Sequence, residues 1–394
     1  MGTQPNLHVL FLGNYEADQQ ESMRQFADAL FRMVSARNIS VDLIRPEARL
    51  CRMRESNRGL AKWLGYCDKY LLFPGELRRK VASLSRSKAF VTHICDHSNA
   101  VYTRWLLSVP HLVTCNDLLA VRSARGEIPE NRTRWTGRQL QRFILQGLNR
   151  AQHVTCISDA TRRDLQRLST LSSGQMDRIY MGLNYDYRPM EKEESYVTLQ
   201  SLGKKAGIDF PNKRFVIHVG GNQWYKNRLG LLRIYDVLAA QHPEVPVLIM
   251  AGQAFNAEMN EFVTKNHLEG KVISLIRPSS EELRALYSIA EILIFPSLEE
   301  GFGWPIIEAQ ACGCRVVTSN RAPMTEAGGD PAFYFDPQNT ETAAAMIWTA
   351  LNENSGEKAA RIDAGLRNAD RFTAGRMTDN YCARYEELAR RKKA

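Results

Sequence analysis

Residues 296–313 read PSLEEGFGWPIIEAQACG. The run before them, Ala290–Phe295 (AEILIF), is short, apolar and rich in branched side chains, as a buried parallel strand requires. Pro296 ends it. Gly301 and Gly303 suit a tight turn, and Pro305 suits the opening of a helix, where a missing N–H costs nothing. A helix is therefore expected from about Trp304, with Ile306, Ile307, Ala309, Gln310 and Ala311 on its buried face. Gly313 stops it before a further strand, CRVVTSN. The N–H groups of Phe302, Gly303 and Trp304 are expected to face the space above the sheet. A helix start at the carboxyl edge of a parallel sheet favours anions, through its backbone donors and its dipole, and phosphate is the natural guest.

Two acids frame this turn, Glu300 in the loop and Glu308, read here as belonging to the first helical turn. Beside a bound phosphate they would hold hydroxyl groups. The simpler alternatives are a dipole-stabilising acid for Glu308 and a solvated loop charge beside Glu299 for Glu300.

Working outward, the same strand-turn-helix unit repeats along the chain. Leu7–Leu12 reads as a first strand, Gly13 as its turn, and a helix follows to about Ala36. Further strands are expected at 40–44, 89–95, 110–114, in HVTCIS and in RIYMGLN. Polar groups follow two of them directly: Asp96, His97 and Ser98 after one, Asn116 and Asp117 after the other. A second series opens at Arg214–Val219. It runs into Gly220, Gly221, Lys226 and Asn227, continues through VPVLIM and KVISLI to Ile276 and Arg277, and ends in the opening stretch. Strands alternating with helices imply an α/β chain with two doubly wound parallel sheets. The expected domains are residues 1–185, a Pro- and charge-rich linker over 186–212, a second domain over 213–375, and a capping helix over 376–394 able to pack back on the first domain. The first turn has a single glycine and lacks G-x-G-x-x-G, which argues against a nicotinamide dehydrogenase.

Composition narrows the rest. At 394 residues, with 44% apolar and 24% charged residues, the chain is globular and long enough for two cores. The amino terminus lacks a basic flank with a long apolar core, so a cytoplasmic protein without a membrane span is expected. Eight scattered cysteines read as reduced and buried. Cys312 and Cys314 form only C-x-C with no nearby histidine pair, so no zinc site is expected. Net charge is +9, and residues 1–185 carry 27 Lys+Arg against 16 Asp+Glu, the remainder 25 against 27. The excess includes Arg45, Arg49, Arg52, Arg54, Arg58, Arg78, Arg79 and Lys80, interleaved with Trp63, Tyr66, Leu71 and Leu72. That segment reads either as a solvated basic face or as a contact for an anionic membrane surface. No nucleic-acid-binding motif accompanies the charge.

The whole string resembles the E-x7-E signature of the family 4 retaining glycosyltransferases. It matches at Glu300, Gly301, Phe302, Gly303, then Ile306, Ile307, Glu308 and Ala309. Val219, Gly220, Gly221 with Lys226 and Asn227 fit the same family's glycine and lysine frame. The resemblance implies a GT-B fold, two Rossmann-like domains with a nucleotide-sugar donor (UDP, GDP or ADP sugar) in the cleft and a hydroxyl acceptor such as a glycan or lipid-linked saccharide. It implies no cofactor and no metal. By position, Glu308 would bind the ribose, Lys226 and the N–H groups near Gly303 the diphosphate, and Glu300 the transferred sugar. Ile276 and Arg277 would lie near the base. Gly13, His97 and Asn116 would line the sugar site, with Glu300, Lys226 and Asn116 as catalytic candidates. Two departures stand out. Gly221 occupies a position that is often arginine or threonine, and Asn116 stands where many relatives have histidine. A GT-B epimerase, phosphorylase or sucrose-synthase-like enzyme, or a noncatalytic nucleotide-sugar binder, are the alternatives.

Overall fold

The computed structural model describes residues 7–18, 20–51, 59–86 and 89–391. They form two compact units, one holding the described residues to Asn184 together with those from Ala374, the other Tyr185–Thr373.

Unit 1 alternates β1 (Leu7–Leu12), α1 (Glu21–Ser35), β2 (Ser40–Ile44), α2 (Gly59–Cys67), α3 (Phe73–Ser85), β3 (Ala89–Ile94), β4 (His111–Cys115), α4 (Leu119–Ala124), α5 (Trp135–Leu148), β5 (His153–Cys156), α6 (Asp159–Leu168) and β6 (Met176–Arg178). Its sheet is parallel, in the order β2-β1-β3-β4-β5-β6. The strands are near-continuous apolar runs because both faces are covered by helices. Leu10, Ile94, Val113 and Val154 sit fully buried in one core with Leu77, Ile144 and Leu148 from the helices.

Unit 2 runs α7 (Lys192–Ala206), β7 (Phe215–Gly220), α8 (Arg228–Gln241), β8 (Val247–Gly252), α9 (Ala257–Lys265), β9 (Val272–Ile276), α10 (Ser280–Ile289), β10 (Ile292–Phe295), α11 (Trp304–Ala311), β11 (Arg315–Ser319), α12 (Met324–Gly328), β12 (Phe333–Phe335), α13 (Thr340–Leu351) and α14 (Ser355–Ala369). Its sheet is also parallel, ordered β12-β11-β10-β7-β8-β9. The last helix, α15 (Ala374–Arg391), belongs to unit 1, where buried Tyr385 hydrogen-bonds His93 of β3 at 2.7 Å.

Three expectations need correcting. Residues 186–212 are more than the linker expected, because they hold α7, which docks on α10 within unit 2. Acids in the first turn of α7, lysines in its last and the left-handed Gly207 after it are ordinary helix-end signals. The docking is fixed by Ser288 Oγ on the Met190 amide (3.1 Å) and by Arg284 on the Arg188 carbonyl (3.0 Å). The strand expected in RIYMGLN ends at Arg178, and β6 lies earlier, where Met176 can pair with Val154. Glu308 lies in the second turn of α11, since the helix starts at Trp304 and its first turn carries no acid.

Candidate functional site

In a doubly wound sheet, ligands bind outside the carboxyl ends of the strands where the strand order reverses. In unit 2 that point lies between β7 and β10, since β8 and β9 extend the sheet to one side of β7 and β10 lies on the other. The loops leaving β7 and β10 are the ones that carry Gly220–Asn227 and Pro296–Gly303. They are tied together: the Leu298 amide donates to the Tyr225 carbonyl (2.7 Å), and Asn227 Nδ2 to the Pro296 carbonyl (3.2 Å). Asn227 itself adopts a left-handed conformation, φ 53°, uncommon outside glycine.

Lys226 and Glu300 meet in this crevice, Nζ to Oε1 at 2.6 Å, with side chains only 16% and 9% exposed. Ser297 Oγ donates to the same Glu300 oxygen at 2.9 Å. Glu308 is buried on α11, and Tyr287 of α10 donates its hydroxyl to Oε2 at 3.0 Å. Burial pushes the Glu308 carboxyl up to about 7, against the opposing pull of the Tyr287 hydrogen bond and the Lys226 charge. Gly303 starts α11 at φ 104°, a backbone state that favours glycine. Gly252 has a steric reason as well: a Cβ there would lie 2.2 Å from the Gly220 carbonyl oxygen. At the exit of β9, Ile276 is 60% exposed and Arg277 takes φ 48° with its amide on the Gly252 carbonyl (2.8 Å).

Arg228 was not singled out by the sequence. It is buried, and it pins the loop after β7 through Asn222 Oδ1 and the Gln253 carbonyl (2.8 Å). Gly221 brings no side chain, and a Cβ there would crowd Gln223.

Unit 1 reverses its strand order between β1 and β3, and a polar cluster lies at those strand ends. Asp96 is its hub. Its carboxylate accepts from Asn14 Nδ2 (2.6 Å), Ser98 Oγ (2.5 Å) and Asn116 Nδ2 (3.2 Å). His97 Nδ1 lies 3.1 Å from it, an ion-pair distance without the alignment of a linear hydrogen bond. Burial alone would raise the Asp96 carboxyl, but the close His97 ring, with hydrogen bonds from Ser98 and Asn14, holds it well below the usual range. Burial likewise pulls the His97 ring down, and Asp96 and Asp117 more than offset that, leaving it raised. Asn116 thus commits its amide donor to Asp96, while its Oδ1 has no partner among the described residues. Gly13 hydrogen-bonds the Ile44 carbonyl (3.0 Å) and lies against Arg45, whose Nε would be 2.7 Å from a Cβ there.

No group of three or more His, Cys, Asp or Glu suited to a metal is found among the described residues, and the cysteines form no disulfides. No helix among them is long and apolar enough to cross a membrane.

Residues 204–368 match the glycosyl transferases group 1 and residues 23–187 match glycosyltransferase family 4. The O-antigen chain mannosyltransferase B of Escherichia coli is 26% identical over 262 residues, 66% of this chain and 66% of that protein. A D-inositol 3-phosphate glycosyltransferase of Mycobacterium ulcerans is 24% identical over 345 residues, 81% of this chain and 69% of that protein. In fold, the crystal structure of Anabaena HepE in complex with UDP and glucose superposes with a TM-score of 0.72 at 16% identity, covering 96% of this chain and 98% of that one. Two doubly wound parallel units, matched one to each half of the family, make this chain a GT-B member of the family 4, group 1 glycosyltransferases.

Proposed function

We propose that this chain is a retaining glycosyltransferase that moves a sugar from a nucleoside diphosphate sugar to a hydroxyl acceptor in cell-surface polysaccharide or glycolipid assembly, working at the cytoplasmic face of a membrane. The observation that carries the reading is the Lys226–Glu300 pair at the strand-order reversal of unit 2, with buried Glu308 on the adjoining helix.

The chemistry follows from these groups. The diphosphate would take Lys226 and the start of α11, where cation and helix dipole both favour negative charge. Lys226 would then exchange Glu300 for phosphate, freeing the carboxylate for the sugar hydroxyls. Glu308 would accept hydrogen bonds from the ribose hydroxyls, and Ile276 with Arg277 would flank the base. The acceptor oxygen forms its bond to the anomeric carbon as the bond from that carbon to the diphosphate breaks. The acceptor's proton passes to the leaving phosphate, on the same face of the sugar. Charge accumulating on the diphosphate is offset by groups already in place, so the reading requires no metal. His97 and Asn116 are unit 1's proposed contribution to sugar recognition.

The mannosyltransferase relative and the UDP and glucose bound by HepE support a nucleotide-sugar donor. Thermal-shift screening of UDP, GDP and ADP sugars, followed by NMR of the product anomer, tests the reading. Stabilisation by one donor class and a product with the donor's anomeric configuration are expected. An inverted product would remove the retaining assignment.

A further inference from the structure

Part of the basic excess of residues 1–185 is neutralised where the sequence concentrates it, although exposed Arg78 and Arg79 form no ion pair among the described residues. Arg45 pairs with Asp28, Arg49 with Glu47 and Glu76 (3.1 Å each), Lys69 with Asp18 (2.7 Å) and Lys80 with Asp42 (2.8 Å). Arg52, Arg54 and Arg58 lie outside the described residues.

Another set of arginines has no such partners. Arg134 is the N-cap of α5, and Arg138 and Arg142 follow at intervals of four, so the three lie along one side of the helix, all exposed. The helix contains no acid, and none of the three forms an ion pair among the described residues. Arg138 Nε donates to the Thr133 carbonyl (3.1 Å). Fold stability does not explain the placement. Like charges four apart on a helix repel, and cations near a helix start oppose its dipole. Nearby, Arg122 and Arg167 share Glu127 and Asp164, so acids are supplied where the fold uses arginines. Between the first two unpaired arginines stands Trp135, 71% exposed. The opposite side of α5 is accounted for: Ile144 and Leu148 are buried in the core.

Each interval of four advances about 6 Å along the helix, so the three arginines are set in a row along one side of α5. A single phosphate ligand would call for convergent donors in a concavity. A row of cations beside an exposed indole instead suits a plane of anionic headgroups, where arginine meets phosphate and tryptophan enters the interface. We propose that the α5 face bearing Arg134, Trp135, Arg138 and Arg142 docks this enzyme on a bilayer rich in anionic phospholipid. The inference rests on the membrane-face reading above and moves the contact away from the Arg45–Lys80 segment.

Co-sedimentation of the full chain with phosphatidylcholine vesicles, with and without phosphatidylglycerol, tests it. Binding to the anionic vesicles alone is expected. The Arg134→Gln/Arg138→Gln/Arg142→Gln variant should bind them roughly a hundredfold more weakly, as loss of three headgroup contacts implies. Its thermal unfolding and donor binding should be unchanged, and the corresponding triple lysine variant should retain vesicle binding. In wild type, Trp135 emission should shift to the blue on binding, judged against Trp135→Phe. Absence of binding to either vesicle would overturn both the membrane reading and the inference. Undiminished binding by the glutamine variant would leave the membrane reading intact and overturn the α5 assignment, returning the contact to exposed Trp63, Leu71 and Leu72. Binding to soluble polyphosphate as tight as to vesicles would replace the bilayer with a free polyanion.

Discussion

The two strand-order reversals of this molecule are built alike and charged differently. In unit 1 one carboxylate, Asp96, gathers donors from Asn14, Ser98 and Asn116 beside the His97 ring, so its charge is met inside the cluster. In unit 2 the acids are two and their satisfaction is partial. Glu300 shares Lys226, and Glu308 has one hydroxyl partner and a carboxyl raised to about 7 by burial. A closed network of hydrogen bonds rigidifies, whereas a buried acid with spare acceptor capacity and an exchangeable ion pair are what a charged, hydroxyl-rich ligand needs.

That contrast can be broken most directly at Lys226. Lys226→Ala removes the cation proposed for the diphosphate and should lower kcat/KM for the donor by about 100-fold or more, read by initial rates. Unchanged kinetics would move the anion site elsewhere. Glu300→Ala leaves that cation in place. Its expected effect is a drop in kcat of about tenfold or more with a smaller change in donor KM, which separates a sugar-positioning acid from a donor-binding one.

For unit 1 the expected loss is stability. Asp96→Asn removes a buried charge that donors from Asn14, Ser98 and Asn116 satisfy beside His97, and should cost on the order of 3 kcal/mol in denaturant unfolding. A cost near zero would mean the hub is not closed in solution.

Glu308 gives a subtler signature. Its folded-state carboxyl titrates above its usual range, so the folded protein holds that proton more tightly than the unfolded chain does. The resulting stability is fully present below the ordinary glutamate range and is lost as pH rises through about 7. The glutamine variant should lack this component, flattening the pH dependence of unfolding relative to wild type by roughly 3 kcal/mol at most. Smallest of all is Asn116→His, which should alter sugar hydrolysis and transfer without abolishing donor binding. No change in either rate would remove Asn116 from the sugar site.

Much of this was readable from local sequence. The apolar run at 292–295, the paired glycines after it and Pro305 dictate strand, turn and helix within a short window, and the structure has β10 and α11 there. Long-range partners were not legible. Tyr287 reaches Glu308 across 21 residues, and Asn14 reaches Asp96 across 82, joined only because β1 and β3 are neighbours in the sheet. The α7 helix is masked in the sequence by the Pro and charges on either side of it, although its end signals are present. Charge totals located the basic half correctly but could not show which arginines find acids, since those pairings span elements.

The central claim is that the crevice between the loops after β7 and β10 binds a nucleoside diphosphate sugar. Calorimetric titration of wild type, Lys226→Ala and Glu308→Ala with the donor found by thermal shift tests it most directly. One site per chain in wild type, weakened at least tenfold in both variants while they remain folded, is the predicted result. Equal affinity in all three proteins would contradict it.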